Sequence, residues 1–107
     1  MKTFEFKDRK GRTYTLTLNL RKVRELQTKT PIDITSEADW QRLMSSRLDQ
    51  LTYIWFLVDD QADAYGLDVD KWELAMYGEG IASGAVNALM QVLENFYLKL
   101  DLMKLAK

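Results

Sequence analysis

Asp59, Asp60, Asp63, Asp68 and Asp70 crowd the middle of the chain. Paired carboxylates can do acid–base work or hold a divalent cation. Asp59 and Asp63 are spaced to share one face of a helix. A calcium loop also needs oxygens at alternate positions, a central glycine and a closing glutamate. Counted from Asp68, Trp72 stands at the fifth position and the glycines are misplaced. Asp68 has a sufficient role as a helix N-cap, with Asp70 favourable in the first turn. The cluster is therefore read as structural, and no catalytic, cofactor-binding or metal-binding residue is assigned. The chain has no Cys and no His. That excludes disulfides, thiol catalysis, Ser-His-Asp triads and Cys- or His-ligated metals. Gly78-Glu79-Gly80 lacks the Lys and Ser/Thr of a phosphate loop and reads as helix punctuation.

Lys7, Arg9, Lys10 and Arg12 cluster beside Phe4, Phe6 and Tyr14, which raises nucleic-acid binding. An RNA-binding sheet turns its aromatics outward on a platform. Here the aromatics alternate in phase with Leu16 and Leu18, so the pattern assigns them to the core. The sequence pI of about 5.4 also lies far below the ~9 expected of such domains. Charge is nevertheless segregated. Residues 1–30 carry +6, residues 31–98 carry −9 and residues 99–107 carry +2, within a net charge of −1. Such a chain can attract a charged partner or its own copies, although folding the two halves together neutralises most of the difference.

The elements that must position these groups follow from periodicity. With 107 residues, of which 47% are hydrophobic, one domain spanning 1–107 is expected. Alternation over 3–18, broken by Asp8-Arg9-Lys10-Gly11, predicts a β-hairpin with a bulge at Gly11. Its apolar face is Phe4, Phe6, Tyr14, Leu16 and Leu18. About five helices follow over residues 19–100. Asn19 caps the first, with Leu20, Val23 and Leu26 on one face and Arg21–Glu25 as an outer pair. Pro31 ends it near Thr28 or Lys29. Thr35 or Ser36 caps a short second helix carrying Trp40, Leu43 and Met44. A third, central helix runs over about 48–65 with Leu48, Leu51, Trp55, Val58 and Ala62 as its stripe, widened by Ile54 and Leu57, and stops at Gly66. Asp68 caps a fourth with Trp72, Ala75 and Met76. The fifth begins at Ile81, with Ala85, Leu89, Val92 and Phe96 on its stripe and small residues at Gly84, Ala85 and Ala88. The fold class is α+β, mainly helical.

Trp55 is read as core. Trp40 and Trp72, on short helices, are expected half-buried and available as interface anchors. The amphipathic tail over 98–107 has two apolar seams, one of them Leu98, Leu102 and Leu105. One helix of a small monomer rarely needs two, so these leucines are read as a contact with another chain, with a frayed amphipathic tail as the equal alternative. No apolar run approaches the ~18 residues of a membrane span. Met1-Lys2-Thr3-Phe4-Glu5-Phe6-Lys7 has no signal-peptide centre, which predicts a cytoplasmic protein without membrane attachment.

The opening Phe4-Glu5-Phe6-Lys7-Asp8-Arg9-Lys10-Gly11-Arg12-Thr13-Tyr14-Thr15-Leu16, then Val23-Arg24 on a helix, then Ile32-Asp33-Ile34, resembles small tail-assembly-chaperone-like proteins of tailed bacteriophages and prophages. That family begins with a strand, an Asp-x-x-Gly-Arg turn, a second strand, a helix and an Ile-Asp connector. The middle is similar too: a helix over Leu51 to Ala64, Gly66-Leu67 leading to Asp70, an aromatic at Trp72 and a final helix. The resemblance implies a non-enzymatic protein without cofactors, one that binds tape-measure and tail-tube proteins during tail assembly, self-associates and works in the bacterial cytoplasm. Two other classes stay open: a nucleic-acid-associated regulator, and a carboxylate–metal enzyme.

Overall fold

In a computed structural model of the chain, residues 4–99 are described. The order is strand β1 (Phe4–Lys7), strand β2 (Thr13–Leu16), then helices α1 (Leu20–Lys29), α2 (Glu37–Ser45), α3 (Arg47–Ala64), α4 (Val69–Ala75) and α5 (Ile81–Lys99). This is the α+β, mainly helical architecture that the periodicity predicts.

β1 and β2 form an antiparallel pair with Phe4 opposite Leu16 and Phe6 opposite Tyr14. Alternation puts Phe4, Phe6, Tyr14 and Leu16 on the inner face, where all four are buried. β2 stops at Leu16, and Leu18 is only half-buried. Asp8 N–H donates to Arg12 O at 3.1 Å and Gly11 N–H to Asp8 O at 3.0 Å, closing the loop, with Gly11 at φ 81°. That left-handed backbone is the one a residue without Cβ adopts freely.

β1 packs mainly on α5 and β2 on α3, while α1, α2, α4 and α5 also meet α3. α3 is thus the central helix, and its start and stop are chemically defined. Ser46 has extended backbone and ends α2, and its Oγ accepts from Asp49 N–H at 3.2 Å to begin α3. Across that break, the buried Gln50 amide donates to Leu43 O and Met44 O, satisfying the last carbonyls of α2. At the far end Gly66 (φ 78°) donates to Asp63 O and Leu67 N–H to Ala62 O, a Schellman closure. α1 is capped by Asn19 and α2 by Ser36. Thr30 is extended before Pro31, which ends α1.

Two expectations need correction. The inner face of α3 is Gln50, Tyr53, Ile54, Leu57, Val58 and Ala62, whereas Leu48 is 78% exposed and Leu51 and Trp55 are half-buried. A helix this apolar offers several plausible stripes, and polar anchors decide its rotation. Glu25 lies 3.6 Å from Lys22 rather than pairing with Arg21.

The outer edge of β2 is covered by Gln61 of α3 and by Tyr65, the C-cap of that helix, one turn on. Gln61 makes a two-way amide bridge to Thr15, accepting from its N–H and donating to its C=O, both at 2.8 Å. Tyr65 Oη donates to Thr13 O at 2.8 Å. A strand edge is left unsatisfied unless something pairs with it, and here side chains do so.

The inner face carries the energy of the hairpin. Phe6→Ala is expected to lower stability by about 3–5 kcal/mol, the range for truncating a buried aromatic. Thr15→Ala keeps the backbone bridge to Gln61 and should cost well under about 1 kcal/mol, as surface substitutions do. Chemical denaturation of both variants checks the assignment of faces.

Candidate functional site

Among the described residues, the one carboxylate that the fold takes out of water is not in the central cluster. The Asp8 side chain is fully buried at the hairpin loop. Its Oδ1 accepts from Lys10 N–H at 2.9 Å and Arg12 N–H at 3.1 Å, and its Oδ2 from Arg12 Nε at 2.8 Å and Tyr14 Oη at 2.9 Å. Burial alone would raise its pKa. The Arg12 guanidinium, the Tyr14 hydroxyl and the two loop amides outweigh that and hold the carboxyl below its ordinary range. Tyr14, fully buried, is pushed up by burial and by its bond to Asp8. Its ring stacks on Phe6 at 5.0 Å and meets Tyr65 edge-on at 5.5 Å. All four donors come from the hairpin itself, three from the loop and one from Tyr14 on β2, so the network is a structural clasp. The sequence shows Asp8 as a turn residue; that its side chain also anchors Tyr14 is a tertiary fact.

Asp59, Asp60, Asp63 and Asp68 line a shallow cleft between α3 and α4 with Trp55, Leu67 and Val69, while Asp70 lies outside it. Asp68 Oδ1 caps α4 by accepting from Lys71 N–H at 2.9 Å. Asp59 lies 3.9 Å from Lys29. Among the described residues, no group of three or more carboxylates is placed to hold a metal ion.

The basic loop has less free charge than the sequence suggests. Arg12 is bound to Asp8, while Lys7, Arg9 and Lys10 stay exposed. Arg9 N–H donates to Ala75 O at 2.9 Å, tying the loop to the end of α4. The hairpin aromatics point inward, so no stacking platform faces solvent.

The tryptophans divide differently from the expectation. Trp72 is 1% exposed, packed against Trp55 at 5.4 Å, and is a core residue in place of an interface anchor. α4 is short, but it lies across α3 with its aromatic face inward; length does not decide burial. Trp55, expected in the core, is the half-buried member of the pair. Trp40 is half-buried as expected and meets Tyr97 edge-on at 4.6 Å. Tyr97 Oη donates to Ile34 O, and burial, with the Asp33 charge second, pushes its pKa up to about 12. Leu98, one residue on, is 56% exposed. Leu102 and Leu105 lie outside the described residues. No described helix is long and apolar enough to cross a membrane.

Two outcomes follow. Asp8, with a lowered folded pKa, contributes stability above the unfolded value of about 3.9, and that contribution is lost as pH falls through the folded value. Asp8→Asn removes the charge and turns an N–H group toward donors, so it should cost about 2–4 kcal/mol at pH 7. The gap between the two proteins should narrow in acid. Denaturation curves across pH 2–7 measure it. Separately, millimolar Ca²⁺, Mg²⁺ or Mn²⁺ should leave Tm nearly unchanged, because an ion bound only by the folded state raises it.

Comparison with family models, with curated proteins and with solved structures gave no match.

Proposed function

We propose that this chain is a non-enzymatic assembly factor of the phage tail-assembly-chaperone kind. It holds a long, apolar, helical tape-measure protein and brings tail-tube subunits to it in the bacterial cytoplasm. The observation that carries the reading is at the end of α5. Phe96 is buried there while Leu98 stands 56% exposed on the opposite seam. The sequence continues with Leu100, Leu102, Met103 and Leu105, interleaved with Lys104 and Lys107. A factor that must cover an apolar helix and later leave it needs apolar surface displayed on a stable body.

The reading is supported by the order of elements. The strand, Asp-x-x-Gly-Arg turn, strand, helix and Ile-Asp connector by which the sequence resembles that family are laid out in the same order here. The connector is also structural. Ile32 and Ile34 are buried, and Asp33 Oδ1 accepts from Thr35 N–H and Thr35 Oγ1.

The test is co-expression with a tape-measure protein of a tailed phage, the client this reading requires. Soluble recovery of that client should rise severalfold with the wild type. Leu98→Asp should abolish most of the gain while leaving the helical circular-dichroism signal intact, since a carboxylate is strongly disfavoured in an apolar contact and harmless on an exposed turn. Equal recovery with and without the wild-type chain overturns the reading.

A further inference from the structure

The two edges of the hairpin are treated differently. In an antiparallel ladder, opposite residues turn their backbone groups the same way. Thr15 turns its N–H and C=O outward to Gln61, and Thr13 turns its C=O to Tyr65. Their cross-strand partners are Glu5 and Lys7. Those two residues therefore turn their N–H and C=O groups outward along the other side of β1, whose one strand neighbour among the described residues is β2. Among the described residues, nothing bonds to them there, and neither side chain is in an ion pair. Both side chains are exposed. A short strand with charges is a common way to keep an edge from pairing, but these two charges are opposite and two residues apart.

That spacing selects one partner. Only odd-numbered positions present outward hydrogen-bonding groups, so a second β1 can add antiparallel with its two-fold axis at Glu5, Phe6 or Lys7. An axis at Glu5 sets Glu5 against Glu5, and one at Lys7 sets Lys7 against Lys7. With the axis at Phe6, Glu5 of each copy faces Lys7 of the other, twice, on the solvent face, and the Phe6 side chains adjoin on the inner face. Opposite charges across a ladder attract and like charges repel.

We propose that the β1 edge is a self-recognition surface: two copies join antiparallel through Glu5 and Lys7 to give one four-stranded sheet, β2–β1–β1–β2. The assembly closes at two, because the outer edges are the β2 edges that Gln61 and Tyr65 already cover. This does not rest on the assembly-factor reading, since it uses neither Leu98 nor any client.

Sedimentation of the full chain over a wide concentration range tests it, with circular dichroism as the folding control. The wild type should reach a dimer and stop. Glu5→Lys and Lys7→Glu each turn two attractive pairs into two repulsive ones, and each should weaken the dimer about tenfold. The double reversal Glu5→Lys with Lys7→Glu restores the pairing and should return the affinity to near wild type. Leu98→Asp should leave it unchanged. In the wild type, the Glu5 and Lys7 amides should exchange more slowly as concentration rises, while the Thr15 amide does not change. A wild type that stays monomeric, a dimer indifferent to the single reversals, a double variant no tighter than the singles, or edge amides blind to concentration would each overturn the proposal.

Discussion

A buried carboxylate locks the hairpin into the one shape that the helices can hold. Taking Asp8 out of water is unfavourable by several kcal/mol unless its oxygens are filled. Four donors fill them, two from backbone amides and two from side chains. The arrangement fixes more than the loop. Tyr14 reaches Asp8 only when β2 is in the observed register, because a one-residue slip would send its ring to solvent. Tyr14 then stacks on Phe6 and meets Tyr65, which is itself bonded to Thr13. A lone two-stranded hairpin is marginal in water. This one is held by a polar clasp at the tip, an apolar face over α3 and α5, and the Arg9–Ala75 bond to α4.

α3 takes its rotation from two side-chain amides. Gln50 at one end answers the carbonyls of α2, and Gln61 near the other answers Thr15. Each substitutes for a missing backbone partner, and a buried backbone group left alone is costly. Between them they place Tyr53, Ile54, Leu57 and Val58 in the core and leave Leu48 outside. The same interior carries two unanswered groups, Tyr53 Oη and Trp72 Nε1. Both belong to large rings whose apolar contact outweighs one unmade bond, and Tyr53 accordingly has its pKa raised, chiefly by burial.

The local signals were legible in the sequence. Asn19, Ser36, Asp68, Gly66 and Gly11 each act through their own backbone or a few neighbours, and each stands where its chemistry indicates. The hairpin face was legible because alternation leaves one choice of phase. The phase of α3 was not. Leu48, Leu51 and Trp55 form as good a stripe as Tyr53, Leu57 and Val58, and the deciding bonds reach from Gln61 across to Thr15. The burial of Trp72 is not legible for a related reason: burial of a short helix depends on what it lies across. The Asp8 network was half legible, as a turn residue without its tyrosine. The acidic cleft drew attention by composition, yet Asp68 has a local task there and Asp59 sits near Lys29.

Large apolar side chains are exposed at several places, among them Leu48, Leu74, Tyr77 and Leu98. Scattered exposure of this kind is ordinary on a small protein. Leu98 differs in that the sequence beyond it stays leucine-rich. Under the proposed assembly-factor role, a single such contact on a helical client would be weak, which suits a factor that must depart. Pairing through β1 changes the arithmetic. A closed dimer carries two α5 ends on one rigid sheet, and a client with repeated apolar turns can engage both. The second engagement is then intramolecular, and its effective concentration multiplies the affinity without any new contact. Retention would come from the count of ends, and release from separating the copies. The charges at Glu5 and Lys7 would therefore control how long a client bound through Leu98 is held.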